Sequence, residues 1–212
     1  MIVLGVIQAR MSSVRLPGKV LKEICGVPML LIMMDRVLES KKLTHVIIAT
    51  SRHKTDDSIE EFCKYHKFPF YRGALYDVLD RFYQVAQIYE PDHIVRMTAD
   101  CPLIEPLIID KTIDYHIRGN YDFTQIIDFP DGLDVEVMTE HSLIKAWKEG
   151  CSSYEREHVT PYFKFNPMLF RIGSYRNSKD LSRLKLSVDT PEDFERVSKI
   201  IEKILCSRDI SV

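Results

Sequence analysis

Ile2-Val3-Leu4-Gly5-Val6-Ile7, followed after Gln8 by Ala9-Arg10-Met11-Ser12-Ser13-Val14-Arg15-Leu16-Pro17-Gly18-Lys19, is the stretch that decides the fold. An unbroken apolar run of this length is what a strand buried on both faces requires. The polar segment behind it then lies at a strand's carboxyl end. Similar runs recur at His45 to Thr50 (HVIIAT) and His93 to Met97 (HIVRM), with a shorter one at Phe68 to Tyr71. Helical spacing fills the gaps. It spans Pro28 to Leu38, Asp56 to His66 with Ile59, Phe62 and Cys63 on one face, and Leu75 to Tyr89 with Leu79, Phe82, Val85, Ala86 and Tyr89 in register. Strands alternating with helices predict an α/β, Rossmann-like, mostly parallel sheet flanked by helices. Ligands of such sheets sit outside the carboxyl ends of the strands. The loop after Ile7 and Asp100, which closes HIVRMTAD, both fall on that rim.

From about Asp122 to Ile172 the rhythm changes. Asp134 to Met138 (DVEVM) alternates like a half-buried strand, and helical spacing follows near Glu140 to Glu149 and Tyr154 to Phe165. This segment reads as a region inserted on the core. Leu184 to Val188 returns as a strand ending at Asp189. Thr190-Pro191-Glu192-Asp193 then opens a last helix, with Thr190 as N-cap and Pro191 in the first turn. There is no repeat, low-complexity tract or linker, so residues 1–212 read as one domain with 122–172 as a subregion.

The bulk composition restricts the partners. With 45% hydrophobic and 28% charged residues the chain is of ordinary globular type. A net charge of -2 provides no global field for DNA, RNA or an anionic membrane. Any anion site must be local, and Arg10, Arg15, Lys19 and Lys22 precede the first acid, Glu23. The cysteines Cys25, Cys63, Cys101, Cys151 and Cys206 are odd in number and contain no C-x-x-C, which favours buried free thiols over disulfides or zinc. The opening apolar run is too short for a signal peptide or a bilayer span. A cytoplasmic protein is expected.

The basic loop suits a triphosphate. Arginine grips phosphate oxygens with a planar fork, and lysine acts as a compact charge. Ser12 and Ser13 add donors, and Pro17-Gly18 makes a turn that can swing Lys19 back over the loop. Lys19 is followed by Val20, and the glycine five residues before Gly18 that a Walker loop needs is missing. G-x-G-x-x-G is also absent. A single arginine here would read as solvated surface, but three cations just beyond a buried strand read as phosphate binding.

Nucleotidyl transfer also needs a divalent cation, and magnesium prefers a few carboxylates plus phosphate oxygens and water. Asp100 and Asp189 are the candidates, although Asp189 also fits a plain capping sequence. Arg72 and Arg81 flank a helix start and could reach a nucleotide, or could belong to a charged helix face. Asp134 and Glu136 share one strand face by period two, where they could accept hydrogen bonds from sugar hydroxyls. Arg156, Glu157 and His158 form a polar run that could meet an acidic sugar.

The string A-R-x-x-S-x-R-L-P-G-K after an N-terminal strand resembles the signature of the CMP-sugar synthetases. These include the cytidylyltransferases for 3-deoxy-manno-octulosonate and acylneuraminate. The resemblance runs from Ile2 to about Ile204 and is strongest to the spore coat polysaccharide biosynthesis protein F branch. It implies CMP transfer from CTP to a sugar hydroxyl, with pyrophosphate released. By the resemblance, Ala9, Arg10, Ser12, Ser13, Arg15 and Lys19 hold the nucleotide and Arg81 helps to read the base. Arg10, Lys19 and Asp100 carry catalysis. Asp100 in T-A-D-C-P and Asp189 in S-V-D-T-P-E-D-F match the family's metal-binding aspartates, so Mg2+ is the implied cofactor. Thr98 and Ala99 stand where the octulosonate enzymes carry Gln-Gly, and are placed with the nucleotide. The run Arg156-Glu157-His158 matches the spore-coat branch on the sugar side.

Two rivals follow from the same residues. A nucleotide-sugar glycosyltransferase would usually hold its metal with D-x-D, which the chain lacks. A non-catalytic nucleotide-binding protein has no need for both carboxylates and all three cations. In the resembled family the inserted region pairs subunits, and Trp147 and Tyr154 look exposed, so a homodimer through 122–172 is expected.

Overall fold

A computed structural model describes the backbone of residues 1–208 and the side chains through Ile204. The chain order begins with β1 (Val3–Gln8), a single 3-10 turn at Lys19–Leu21, and a small hairpin of β2 (Glu23–Ile24) and β3 (Val27–Pro28). It continues through α1 (Met29–Leu38), β4 (His45–Ser51), α2 (Asp57–His66), β5 (Phe70–Gly73), α3 (Val78–Tyr89), β6 (His93–Thr98) and α4 (Pro106–Arg118). Then come β7 (Phe123–Ile127), β8 (Glu136–Thr139), α5 (Glu140–Glu149), α6 (Ser153–His158), α7 (Pro161–Phe165), β9 (Ile172–Arg176) and α8 (Pro191–Arg208).

The main sheet has the order β5-β4-β1-β6-β8-β7-β9. Its neighbours pair in parallel except on either side of β8, which alone runs the other way. Its burial explains the opening run. Val3 and Ile7 of β1 pack with Leu30, Met33 and Met34 of α1 and with Ile109 and Ile113 of α4. Leu4 and Val6 face the opposite layer, with Leu79, Phe82 and Val85 of α3 and Leu143 of α5. A third cluster joins Leu16, Ile24, Leu103, Val188, Val197 and Ile201, seating α8 beneath the loop.

Several expectations change. The region 122–172 supplies β7 and β8 to the same sheet and leads directly into β9, so it completes the core rather than decorating it. Asp134 precedes β8, and Val137 and Met138 pack into opposite layers, so the alternation holds but both faces are covered and Glu136 is buried. Leu184 to Val188 forms no named strand and makes only an isolated bridge from Lys185 to Asp131. The helix expected over Tyr154 to Phe165 breaks at Val159, because Pro161 has no N–H to continue the ladder and starts a new helix instead. Pro28 precedes α1 rather than entering it. The terminal helix matches: the Asp193 N–H donates to Thr190 Oγ1 at 3.2 Å. Cys63 and Cys101 are buried thiols, whereas Cys25, in the β2–β3 turn, and Cys151, in the connection between α5 and α6, are exposed. The side chain of Cys206 lies outside the described residues.

Candidate active site

The parallel register puts Gln8 beside Thr98, so β1 and β6 end together. Beyond them opens a cleft of about 390 Å³. The loop over its floor is shaped by two contacts. The Gly18 N–H donates to Met11 O at 2.9 Å, and Gly18 has φ 71, a left-handed value that suits glycine. The Met11 N–H donates to Asp56 Oδ1 at 2.8 Å. Asp56 is fully buried, and its other oxygen accepts from the N–H and hydroxyl of Ser51. Asp56 therefore sets the loop's entry angle. Sequence reading missed it because it looked like the first residue of α2.

Twelve of the sixteen residues singled out from sequence line this cleft: Ala9, Arg10, Ser13, Arg15, Lys19, Arg81, Thr98, Ala99, Asp100, Glu157, His158 and Asp189. The loop's cations are already partnered. Arg10 Nη1 donates to Glu157 Oε1 at 3.1 Å, and Arg15 Nη2 lies 3.0 Å from Asp189 Oδ1. Lys19, only 7% exposed, donates to Asp100 Oδ2 at 2.9 Å, Asp189 Oδ1 at 3.0 Å and Val188 O at 2.7 Å. The Val188 N–H in turn donates to Asp100 O at 2.9 Å, which ties the two carboxylate segments together without a strand. Asp189 keeps its charge form. Its burial raises the pKa, but the hydrogen bond and charge of Lys19, with Lys185 and Arg15, outweigh that and lower it.

Asp193 holds the Asp189 backbone. Its Oδ2 accepts the N–H groups of Asp189 and Thr190, both at 3.1 Å, and Lys185 Nζ at 2.7 Å. Burial opposes ionisation of Asp193, but Lys185, Arg196 and these amides push its pKa far below the usual carboxylate range. Lys185 and Asp193 carried no sequence signal beyond an ordinary i,i+4 and capping pattern.

Arg81 is a buried guanidinium, 1% exposed, on the cleft wall. Its Nη1 donates to Ala49 O at 2.9 Å, while its Nε has no partner. Burial lowers its pKa to about 10, so it remains charged at neutral pH. Gly73, at the end of β5, makes room for its stem: a Cβ there would fall 2.5 Å from Arg81 Cγ.

The other four residues do not join the cleft lining. Ser12 lies off it. Asp134 turns back on its own loop and accepts the Gly132 N–H at 2.9 Å. The Glu136 carboxylate is buried, with both oxygens engaged inside the protein by Arg96 at 2.5 Å, Thr160 at 3.0 Å and Lys164 at 3.2 Å. Arg156 ties α6 to Trp147 O at 2.8 Å and to Asp77 at 2.6 Å. Arg72 is likewise spent, on Glu60, Asp57 and the backbone of Ser51 and His53. Trp147 is half-buried and stacks on Tyr83 with ring centroids 3.8 Å apart.

Glu157 and His158 reach the cleft from a strained turn. Val159 has φ 71 and ψ -57, and the Thr160 N–H donates to His158 O at 2.8 Å, closing a γ-turn of the rare, strained kind. A β-branched residue avoids this conformation unless its surroundings force it. Here the fully buried Val159 side chain and the Thr160–Glu136 hydrogen bond fix both ends.

A cleft at the carboxyl ends of parallel strands, with three cations facing two converging carboxylates, defines a nucleotidyltransferase type of site. A family model described as cytidylyltransferase matches residues 4–209. The spore coat polysaccharide biosynthesis protein SpsF of Bacillus subtilis is 35% identical over 95% of this chain and 87% of its own length. A 3-deoxy-manno-octulosonate cytidylyltransferase of Solibacter usitatus is 28% identical over 94% of each chain. The solved structure of a cytidylyltransferase from Leptospira borgpetersenii superposes with a TM-score of 0.91 at 35% identity, covering 96% of this chain and 87% of that one. The chain belongs to the cytidylyltransferase family, and it is a nucleotidyltransferase enzyme with the expected Rossmann-like fold.

Proposed function

We propose that the protein transfers CMP from CTP to a hydroxyl of a sugar, in particular a sugar acid, releasing pyrophosphate for cell-surface polysaccharide synthesis. The observation that carries this reading is the convergence of Asp100 and Asp189 on one cationic position, with Arg10 and Arg15 alongside. The relatives named above support the base and the acceptor class.

The donor set fits Mg2+. One ammonium already bridges Asp100 Oδ2 and Asp189 Oδ1, so both oxygens are placed around a single cation. Among the described residues no cluster of three or more His, Cys, Asp or Glu forms a metal cage. Two hard carboxylates with phosphate and water completing the shell is the arrangement magnesium favours. Mg2+ held there would draw charge from the α-phosphate and from the leaving pyrophosphate. Arg10, Arg15 and Lys19 neutralise the β and γ phosphates, and Ser13 adds donors on the same wall. Arg81 presents a buried donor toward the base. Glu157 and His158 lie on the acceptor side. Catalysis by this chain is positioning and electrostatic stabilisation.

We also read the protein as a cytoplasmic homodimer. Exposed thiols at Cys25 and Cys151 suit a reducing compartment. Tyr154, Phe165, Met168 and Leu169 are exposed apolar side chains within the region expected to pair. Sedimentation giving a monomer at micromolar concentration would remove the dimer.

The deciding experiment sets four nucleoside triphosphates against a panel of acidic and neutral sugars, with pyrophosphate release as readout. Turnover with CTP and a sugar acid, lost in Asp100→Asn, is expected. Turnover independent of added sugar, or insensitive to Asp100→Asn, refutes the assignment.

A further inference from the structure

We infer that Lys19 competes with the divalent cation for the oxygens of Asp100 and Asp189, so that cation and nucleotide bind as a linked pair and neither binds well alone. This inference rests on the CTP and divalent-cation reading above.

The cations of the basic loop are matched in advance. Arg10, Arg15 and Lys19 supply three positive charges, and Glu157, Asp100 and Asp189 supply three negative ones in direct contact with them. These six groups therefore cancel among themselves, and among the described residues the buried Arg81 is the cleft's remaining cation. A neutral cluster has little net field for a triphosphate, whatever the loop looks like in sequence. Lys19 is the most committed of the three cations. An ammonium has three donors, and Asp100, Asp189 and Val188 O account for all of them. It has no donor left for phosphate unless it leaves a carboxylate. A divalent cation alone meets the opposite obstacle: it must expel a buried ammonium whose own charge then lacks a partner.

Both obstacles disappear when the ligands arrive together. The divalent cation replaces Lys19 on the two carboxylates, and the released ammonium moves to the phosphates. No bond is made or broken in this exchange, and each charge changes one partner for another. The coupling is reciprocal: CTP tightens the cation and the cation tightens CTP by the same factor. Lys19 is thus the residue that makes this cleft refuse a bare metal ion.

The test measures Mn2+ binding by the paramagnetic resonance of the free ion, with no sugar present. Wild-type protein is expected to bind Mn2+ weakly alone and, when saturated with CTP, at least about tenfold more tightly than either the protein alone or CTP alone binds it. Lys19→Met is expected to bind Mn2+ without nucleotide about tenfold more tightly than wild type, and to lose most of the coupling. Adding Asp100→Asn to that variant should abolish the gain. Equal Mn2+ affinity in wild type and Lys19→Met overturns the inference. If Lys19→Met does not fold, wild type alone decides: with the Mn2+ held by CTP in a protein-free control subtracted, Mn2+ binding that is no tighter with CTP than without it overturns the inference equally. The underlying CTP reading fails in a different way, by wild type showing no CTP binding at any Mn2+ concentration.

Discussion

Acidification should destabilise this protein through one buried imidazole. His116 of α4 is fully buried, with Nδ1 on Thr124 Oγ1 at 2.8 Å and Nε2 without a partner. Burial, with His93 edge-on at 5.0 Å, lowers its pKa to about 3. The folded value lies below the unfolded one, so the unfolded chain takes up the proton first as the pH falls. The stability is therefore intact above about pH 6.5 and is lost progressively down to about pH 3. Between about pH 7.5 and about pH 5 the linkage relation gives a loss of about 2 kcal/mol from His116 alone. At this chain length that is a fall in Tm of about 4–8 °C. His93, lowered mainly by its own burial, acts in the same direction. The assay is urea unfolding followed by Trp147 fluorescence at the two pH values, for wild type and His116→Gln. The glutamine can still meet Thr124 but has no proton to gain, so its pH-dependent loss should shrink by about 2 kcal/mol. Equal losses in both proteins, or an imidazole titration of His116 near the ordinary value, would falsify the reasoning.

Three further outcomes are expected. Gly73→Ala places a Cβ 2.5 Å from Arg81 Cγ and should weaken CTP about tenfold while leaving tripolyphosphate affinity unchanged; equal weakening of both by calorimetry would mean that Arg81 does not face the base. Asp56→Ala strips the acceptor from the Met11 and Ser51 amides and should cost about 1–3 kcal/mol, with faster hydrogen exchange at Met11; an unchanged Met11 exchange rate would deny Asp56 its hold on the loop. Asp193→Asn removes the charge that Lys185 and Arg196 meet and should lower stability by about 1–3 kcal/mol in urea, a loss absent if those pairs are merely superficial.

The parallel half of the sheet was legible because its strands are buried on both sides, which leaves runs such as Val3 to Ile7 with no polar interruption. α4 was missed, although Pro106 in its first turn and Ile109 and Ile113 four apart are readable signals. β7 and β9 were hidden for a better reason: Phe123–Ile127 and Ile172–Arg176 carry Thr, Gln, Ser and Arg, and neither shows a clean period. Leu184 to Val188 has strand-like alternation but no strand beside it to complete a ladder, so it stays an extended tether. The loop's cations were visible from spacing. Their partners were not, because Glu157, Asp100 and Asp189 lie 147, 81 and 170 residues away from the cations they meet. The same distance explains Glu136 and Arg156, whose polarity suggested a ligand and whose partners are Arg96 and Asp77.

The single reversed strand explains how two distant segments come to share one cleft. β6 runs toward the ligand rim, and β8 pairs with it antiparallel, Thr139 lying opposite His93 at the far end. The chain therefore leaves β8 on the side away from the cleft. α5 starts there, with Thr139 as its cap, and its ten residues span about 15 Å. That is close to the length of the six-residue β6 it runs beside. α5 and then α6 pack against α3, the same helix that carries Arg81. The climb thus returns the chain to the rim, where α6 delivers Glu157 to Arg10 across the cleft. Had β8 been parallel, its carboxyl end would already lie at the rim and α5 would descend away from it. The strained turn at Val159 falls at the end of this climb, where α6 must stop and the chain must dive back to bury Phe163 against Phe123. Reversal of β8, the length of α5 and the γ-turn are therefore one device, and its product is a wall that carries Glu157 and His158 and faces the basic loop.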